Sequence, residues 1–254
     1  MKLIDSHTHL YAEEFKTDIN FIVKRAEQEG VEKFYLPAID SSVNDDLLEL
    51  EKKFPGKMFA MAGLHPCSVK ENFQEEIKLI RSQLQKRKFA AIGETGLDFY
   101  WSTTFKDQQY ESLHTHAQWA IEYSRPLIIH TRNAMQETIN VIKEYRGKRL
   151  FGIFHCFSGS LENAEEIIDL GFLLGIGGVL TFKNSGLDGV VKEIDLQHLV
   201  LETDAPYLAP VPFRGKRNES SYLKYIAQKL ADIKGVSIDE IASKTTTNAE
   251  NVFA

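Results

Sequence analysis

The feature that most constrains the fold is an eightfold alternation between short apolar runs and segments of helical periodicity. The runs are almost continuously apolar, which is typical of parallel strands covered by helices. Helical segments such as 107–124 and 161–171 separate them, and Gly171 stands where a C-capping glycine is expected. The predicted strands lie in residues 2–10, 33–39, 58–66, 89–98, 126–132, 150–158, 172–180 and 199–208.

Eight such units in 254 residues indicate an α/β protein of the (β/α)8 TIM-barrel type. A doubly wound open sheet is the alternative, because periodicity alone does not show closure. No low-complexity linker or shift in composition marks a second domain. We therefore expect a single domain over residues 1–254, in which 221–254 form the closing helices.

Charge and composition restrict the function classes. A hydrophobic content of 43% is ordinary for a globular protein, and the first residues lack the apolar stretch of a signal peptide, which predicts a cytoplasmic protein. A net charge of −6 disfavours non-specific coating of nucleic acid but permits local binding. Cys67 and Cys156 form neither a disulfide framework nor a CxxC motif, and we expect both to be buried and inert.

Ligand-type side chains recur where the predicted strands end. In a parallel barrel the chemistry lies at the carboxyl ends of the strands. Four apolar runs end in histidine, which packing explains poorly because buried neutral imidazoles need partners of their own. The polar strand-end residues are His7, His9, His65, Glu94, Asp98, His130, Arg132, His155, Glu202 and Asp204.

Two HxH pairs occupy different local patterns. His7 and His9 end a predicted strand, where side chains at i and i+2 share a face, and this favours a metal-binding pair. His114 and His116 lie in a helical pattern, where i and i+2 diverge. His198 precedes its strand and so lies at the other end of the barrel. We expect these last three histidines at the surface.

The strand-end donors are too numerous for one catalytic ion with an open coordination position. Four histidines and two carboxylates suit two divalent cations, with Glu94 as the natural bridge. Nitrogen and oxygen donors of this kind accept Mg, Mn or Zn. Two adjacent ions lower the pKa of a shared water and stabilise both oxygens of a displacement at phosphorus.

At these positions the sequence resembles the TatD family of metal-dependent deoxyribonucleases, within the amidohydrolase-like barrels. The motifs span nearly the whole chain: "DSHTHL", "GLHP", "GETGLD", "IIHTR", "FHCFSG", "LETDAPYLAPVPFRGKRNE" and "TTTNAENVF". The resemblance implies the metal ligands His7, His9, Glu94, His130, His155 and Asp204, with His65 and Arg132 contacting the scissile phosphate. One departure is Ser220, where the family usually has proline, and a less rigid loop is expected there.

The residues around the expected mouth suggest contacts with an anionic polymer. Arg214, Lys216 and Arg217 follow the last strand closely and are predicted to bind substrate. Phe99, Tyr100 and Trp101 either stack on bases or pack beneath a loop, and the sequence does not choose between the two.

The combined expectation is a two-metal phosphodiesterase that hydrolyses DNA, as a 3′→5′ exodeoxyribonuclease on single-stranded or short substrates. Asp204, Glu94, His65 and Arg132 are its predicted catalytic residues. DNA is the expected partner, bound locally by a monomer without membrane association.

Two alternative functions remain open from the sequence. One is an amidohydrolase-type small-molecule hydrolase, such as a deaminase, lactonase or cyclic-amide hydrolase. Many of those bridge their metals with a carbamylated lysine on the fourth strand, whereas here Glu94 is the bridge and no lysine lies between Lys88 and Lys106. The other is a metal-binding protein without turnover.

Overall fold

The structure, a computed structural model, describes residues 1–254. Its eight strands are β1 Leu3–Asp5, β2 Val31–Pro37, β3 Met58–Met61, β4 Ile92–Asp98, β5 Leu127–Arg132, β6 Gly152–Phe154, β7 Phe172–Ile176 and β8 Leu199–Leu201. Its helices are α1 Ile19–Gln28, α2 Asn44–Lys53, α3 Phe73–Lys86, α4 Lys106–Tyr123, α5 Met135–Lys143, α6 Leu161–Asp169, α7 Leu187–Glu193, α8 Leu223–Lys234 and α9 Ile238–Val252. No helix is long and apolar enough to cross a membrane.

The strands close into a parallel barrel. They pair in chain order as β1-β2-β3 and β4-β5-β6-β7-β8. Gly93 N donates to Ala62 O at 2.7 Å between β3 and β4, and Ser6 N donates to Leu201 O at 3.1 Å between β1 and β8. These bonds join the two sheets into one ring, so the predicted TIM barrel is confirmed and the open-sheet alternative is excluded.

The strands are shorter than the apolar runs that predicted them. β1 ends at Asp5, although burial continues through Leu10. An apolar run in the sequence reflects burial, whereas the end of a strand is set by its hydrogen bonds to neighbouring strands. The run therefore continues into the buried segment after β1. His7 and His9 lie in that segment, where Thr8 N donates to Tyr35 O at 3.1 Å and His9 N donates to Ala205 O at 2.7 Å. These bonds, and not strand geometry, orient the pair.

The amino end of the barrel is filled by apolar side chains. Ile4, Tyr35, Met61, Ile128 and Val200 belong to one buried cluster that also includes the end of α9. Phe253 stacks on Tyr35 with ring centroids 3.6 Å apart. With this end closed, polar chemistry is confined to the carboxyl ends of the strands, as in other barrels of this type.

Three predictions of burial differ from the structure. His116 was expected at the surface but is fully buried, because α4 turns a partly polar face with Gln109 and Ser112 toward the barrel. Cys67 was expected in the core but is exposed, because it lies in a short 3₁₀ helix after β3. Cys156 was also expected in the core and is partly exposed. His114 and His198, expected at the surface, are partly exposed.

Candidate metal centre at the mouth of the barrel

Glu94 lies at the middle of the carboxyl end of the barrel, and its two carboxylate oxygens face different histidines. Oε2 lies 3.1 Å from His7 Nε2 and 3.7 Å from His9 Nε2. Oε1 lies 2.8 Å from His155 Nε2 and 3.0 Å from His130 Nδ1. The side chain is almost fully buried. Glu94 is therefore in the position of a bridge between two groups of donors.

Asp204 completes the first of these groups. Its Oδ1 lies 3.3 Å from His9 Nε2 and 3.8 Å from His7 Nε2. The His7 ring stacks on the His155 ring with centroids 3.8 Å apart, which connects the two groups. The structure thus brings all six predicted ligands together, and they come from five different strand ends.

The unpaired atoms at this position fit a cation. His7 Nε2 and Glu94 Oε2 are both buried and lie 3.1 Å apart, yet neither forms a hydrogen bond. Buried polar atoms without partners are rare because they lose their hydration. Imidazole nitrogens and carboxylate oxygens whose lone pairs face a common point are a suitable donor set for divalent metal ions. The residues present therefore fit the metals that the sequence predicts.

Outer hydrogen bonds fix the orientation of two of the histidine rings, those of His130 and His9. Asp98 Oδ2 lies 3.0 Å from His130 Nε2. His155 Nδ1 forms no hydrogen bond and lies 3.5 Å from Glu202 Oε1. His9 Nδ1 donates to the hydroxyl of Tyr11 at 2.7 Å, since that hydroxyl itself donates to Pro37 O. Such partners set the tautomer so that the other ring nitrogen presents its lone pair to a metal.

His65 has the opposite tautomer. Its Nδ1 accepts from Cys67 N at 3.0 Å, so in the neutral ring Nε2 carries the proton. Burial lowers the pKa of His65, which favours that neutral ring. Nε2 lies 3.3 Å from Glu94 Oε1 and is a hydrogen-bond donor. This geometry suits contact with an anion such as phosphate better than coordination of a cation.

The charges of the cluster stabilise one another. Burial alone would raise the pKa of Glu94, but the rings of His155, His65 and His7 hold it well below its usual value. Burial likewise opposes protonation of His155, and the negative charge of Glu94 outweighs it and raises that pKa. For Asp204, burial is outweighed by the contact with His9, and its pKa is lowered. Both carboxylates are therefore ionised and able to bind cations.

Of the three aromatic residues that follow β4, Phe99 is packed, whereas Tyr100 and Trp101 are exposed. Phe99 packs near Tyr110, and the ammonium of Lys106 lies 4.5 Å from its ring centre. Tyr100 and Trp101 are 52% and 68% exposed. The exposed guanidinium of Arg132 lies 3.8 Å from the Tyr100 ring centre. Packing thus accounts for Phe99 only.

The predicted basic residues of the last loop differ in their partners. Arg217 pairs with Asp18 at 2.7 Å, which neutralises much of its charge. Arg214 stacks on Phe182 at 3.7 Å and has no carboxylate partner. Lys216 also forms no ion pair. Only Arg214 and Lys216 therefore offer charge that the protein itself does not neutralise.

The unusual Ser220 does not leave the end of this loop unanchored. Ser220 is fully buried and begins a 3₁₀ helix, Ser220–Tyr222. Glu219, immediately before it, is paired with Arg25 at 2.6 Å. The loop end is therefore fixed by burial and an ion pair in place of proline.

Sequence reasoning overlooked two tyrosines at the centre. Tyr11 orients His9, as described above, and it continues the alternation of His7 and His9 by one more step, which could have indicated its role. Tyr207 is 56% exposed, and its ring centre lies 6.0 Å from that of His9. No comparable pattern in the sequence indicates Tyr207.

A closed parallel barrel with histidines and carboxylates gathered at its carboxyl end defines the class of metal-dependent barrel hydrolases. The sequence profile of the TatD related DNase family matches residues 4–254. The chain belongs to the TatD family of metal-dependent hydrolases, as its motifs predicted.

Relatives of known sequence and structure agree with this assignment. The uncharacterised metal-dependent hydrolase YabD of Bacillus subtilis is 39% identical over 252 residues, covering 99% of this chain and 98% of YabD. The protein named 3′-5′ ssDNA/RNA exonuclease TatD of Erwinia tasmaniensis is 29% identical over 99% of both chains. The crystal structure of YjjV, a TatD homologue from Escherichia coli, superposes with a TM-score of 0.93 at 29% identity, covering 99% of this chain and 97% of YjjV.

Proposed function

We propose that this hydrolase is a two-metal phosphodiesterase that cleaves DNA, acting as a 3′→5′ exonuclease on single-stranded or short substrates. The observation that carries the proposal is the position of Glu94. One of its oxygens faces His7 and the other faces His155, at 3.1 and 2.8 Å. A carboxylate placed in this way suits a bridge between two cations, and paired cations suit displacement at phosphorus.

Each group around Glu94 has a definite task in this proposal. His7, His9 and Asp204 would hold one cation together with Glu94, and His130 and His155 would hold the other together with the same carboxylate. When bound, the pair of cations lowers the pKa of water and offsets charge on the phosphate. Asp204 would accept the proton of the attacking water, because its carboxylate is ionised and its Oδ1 lies among the donor atoms, 3.3 Å from His9 Nε2. His65 and Arg132 donate hydrogen bonds to the phosphate oxygens.

The surroundings favour a phosphodiester over a small neutral substrate. The bridging position is a glutamate, and the β4 end carries no lysine that could be carbamylated. Arg132, Arg214 and Lys216 carry no paired carboxylate, and an exposed aromatic pair adjoins Arg132. A relative at 29% identity bears the name 3′-5′ ssDNA/RNA exonuclease. These features together fit an unpaired polynucleotide end.

The proposal is tested with single-stranded DNA oligonucleotides labelled at either the 3′ or the 5′ end. We expect shortening from the 3′ end with Mg, Mn or Zn, and none with a chelator. The same panel with RNA distinguishes the two polynucleotides, and a blocked 3′ terminus distinguishes exonuclease from endonuclease cleavage. Absence of cleavage with every metal, together with hydrolysis of a lactone or cyclic amide, would replace this function with the small-molecule alternative.

A further inference from the structure

An exposed aromatic pair, Tyr100 and Trp101, lies beside the proposed metal centre and outside the hydrophobic core. Trp101 is the most exposed large hydrophobic side chain of the protein, at 68%. Tyr100 is 52% exposed, and the two rings meet edge to face with centroids 5.0 Å apart. Isolated exposed apolar side chains are common, but an aromatic pair at the mouth of a polar site is characteristic of a binding surface.

The backbone of this pair is fixed to the metal centre by one carboxylate. Asp98 Oδ1 accepts from Tyr100 N at 2.9 Å and from Trp101 N at 3.2 Å. The other oxygen of Asp98 lies 3.0 Å from His130 Nε2. His130 in turn contacts Glu94 at 3.0 Å. A chain of three short contacts therefore sets the position of Trp101 relative to the bridging carboxylate.

The two aromatic rings differ in how they meet Arg132. The guanidinium lies 3.8 Å from the Tyr100 ring centre and 5.3 Å from that of Trp101. A guanidinium this close to an aromatic ring is held there by cation–π attraction. Tyr100 thus orients Arg132, whereas the indole of Trp101 remains largely available to a ligand.

We propose that Trp101 is a stacking subsite for an unpaired nucleobase next to the scissile phosphate, and that Tyr100 is a positioning residue for Arg132. This inference rests on the proposed nuclease function and names the part of the substrate that the site recognises besides phosphate. Every base has an aromatic face, so stacking on Trp101 tolerates any sequence. Bases within a duplex are already stacked and paired, so the subsite selects single strands.

The kinetic test compares two oligonucleotides that differ only in the presence of bases at their 3′ ends. One carries ordinary nucleotides at its 3′ end, and the other carries abasic tetrahydrofuran nucleotides there, with the same number of phosphates. On the ordinary substrate we expect Trp101→Ala to lose about tenfold in kcat/KM, the scale of one base–aromatic stack. On the abasic substrate the variant and the wild type should be equal. Trp101→Phe should retain most of the activity, because it keeps an aromatic face.

Phe21→Ala is the matched control, since Phe21 is 67% exposed but lies on α1. It should leave both substrates unaffected. Equal losses on both substrates in Trp101→Ala would overturn the subsite while leaving the nuclease function intact. Absence of cleavage of both substrates by the wild type would overturn the nuclease function itself, and the subsite with it.

A binding measurement provides a readout independent of turnover. The chain has two tryptophans, and Trp119 is buried, so Trp119→Phe leaves Trp101 as the sole indole fluorophore. In chelator, an ordinary single strand should quench its emission, and the abasic strand of equal charge should not. Equal quenching by both strands would show that the phosphates alone are sensed. An unchanged spectrum with a strand that the same variant cleaves in metal would also overturn the subsite.

Discussion

The two HxH pairs of this protein share a spacing and differ in almost everything else. His7 Nε2 and His9 Nε2 face the carboxylates of Glu94 and Asp204. His116 is instead satisfied on both sides, because its Nδ1 donates to Ser112 O at 2.7 Å and its Nε2 accepts from Leu64 N at 3.1 Å. The first pair retains donor atoms for a ligand, whereas His116 has none to offer.

The comparison extends to the partners of the rings. Each pair contains one histidine whose Nδ1 bonds a buried tyrosine hydroxyl, His9 with Tyr11 at 2.7 Å and His114 with Tyr145 at 2.8 Å. The same bond therefore occurs in a candidate metal centre and in an ordinary helix packing contact. What distinguishes the pairs is the environment of the remaining nitrogen. Spacing and single contacts do not identify a metal site, whereas unpaired lone pairs that converge do.

The largest expected effect comes from removing the charge of Glu94, which faces His7 and His9. Glu94→Gln keeps the shape of the side chain but removes the charge between the two donor groups. We expect turnover to fall by more than about 100-fold, the upper range for loss of an outer-shell partner, because a ligand itself is lost. Activity assays and metal content of the purified variant measure this. Retained turnover and metal content would mean that His7 and His9 are no more a metal-binding pair than His114 and His116.

The next effect concerns how His116, in the second histidine pair, changes the free energy of unfolding with pH. Burial lowers the pKa of His116 to about 4 in the folded protein, against 6.5 as the ordinary value. The unfolded chain therefore binds a proton that the folded chain does not, between pH 6.5 and pH 4. Stability from this group is present above pH 6.5 and is lost as the pH falls toward 4, by about 3 kcal/mol in total.

Urea unfolding of the wild type and of His116→Gln over this pH range measures that contribution. The wild type should lose more free energy of unfolding than the variant as the pH falls, since both share all other titrating groups. His114→Gln is the matched control for the loss of an imidazole from the same helix. Identical pH dependence in His116→Gln and the wild type would contradict a neutral buried ring.

A smaller effect separates the two tyrosine–histidine bonds. Tyr11→Phe removes the acceptor that orients His9, and metal affinity should fall about tenfold, the lower range for such partners. Tyr145→Phe removes the equivalent bond to His114 and should leave metal affinity unchanged. Calorimetric titration of both variants with Mn provides the comparison. Equal losses of affinity would show a general effect on stability, which thermal melting would reveal.

The smallest effect concerns the loop after β8, where Arg214 and Lys216 lack ion-pair partners and Arg217 has one. Arg214→Gln with Lys216→Gln should raise KM for an oligonucleotide and reduce its salt slope by roughly 0.7 per charge removed. Arg217→Gln, which removes a residue already paired with Asp18, should change the slope less. Lys86→Gln with Lys88→Gln, near the amino end of β4, is the charge-matched control. Equal salt slopes in all three variants would mean that the basic loop is a solvated turn that does not contact the substrate.

Much of the barrel follows from the sequence because burial on both faces leaves a continuous apolar run, which is visible without coordinates. Strand ends do not follow as closely, since β1 stops at Asp5 while the burial continues. The convergence of Glu94 with histidines from other strands was predictable because carboxyl ends of parallel strands meet at one rim. Contacts across elements were not, as the bond between His116 and Leu64 N illustrates.

The error at His116 has a physical cause. Helix α4 buries polar side chains such as Gln109 and Ser112, so its hydrophobic pattern does not reveal which face is inside. Tyr11 illustrates the opposite case. The alternation of His7 and His9 extends to Tyr11, but the hydrogen bond between Tyr11 and His9 depends on an irregular segment after β1. Side chains held by non-local polar contacts are therefore where sequence reasoning fails in this protein.

The two-sided role of Asp98 bears on how the barrel could be re-engineered. Loops at the carboxyl ends of such barrels are usually regarded as exchangeable parts on a fixed scaffold. Here one oxygen of Asp98 binds the backbone of Tyr100 and the other contacts His130. A grafted loop that lacks these amide donors would free the carboxylate to rotate, and the imidazole would lose its anchor. Loop exchange at this position therefore has to preserve the amides of residues 100 and 101, the second and third after Asp98, whatever side chains they carry.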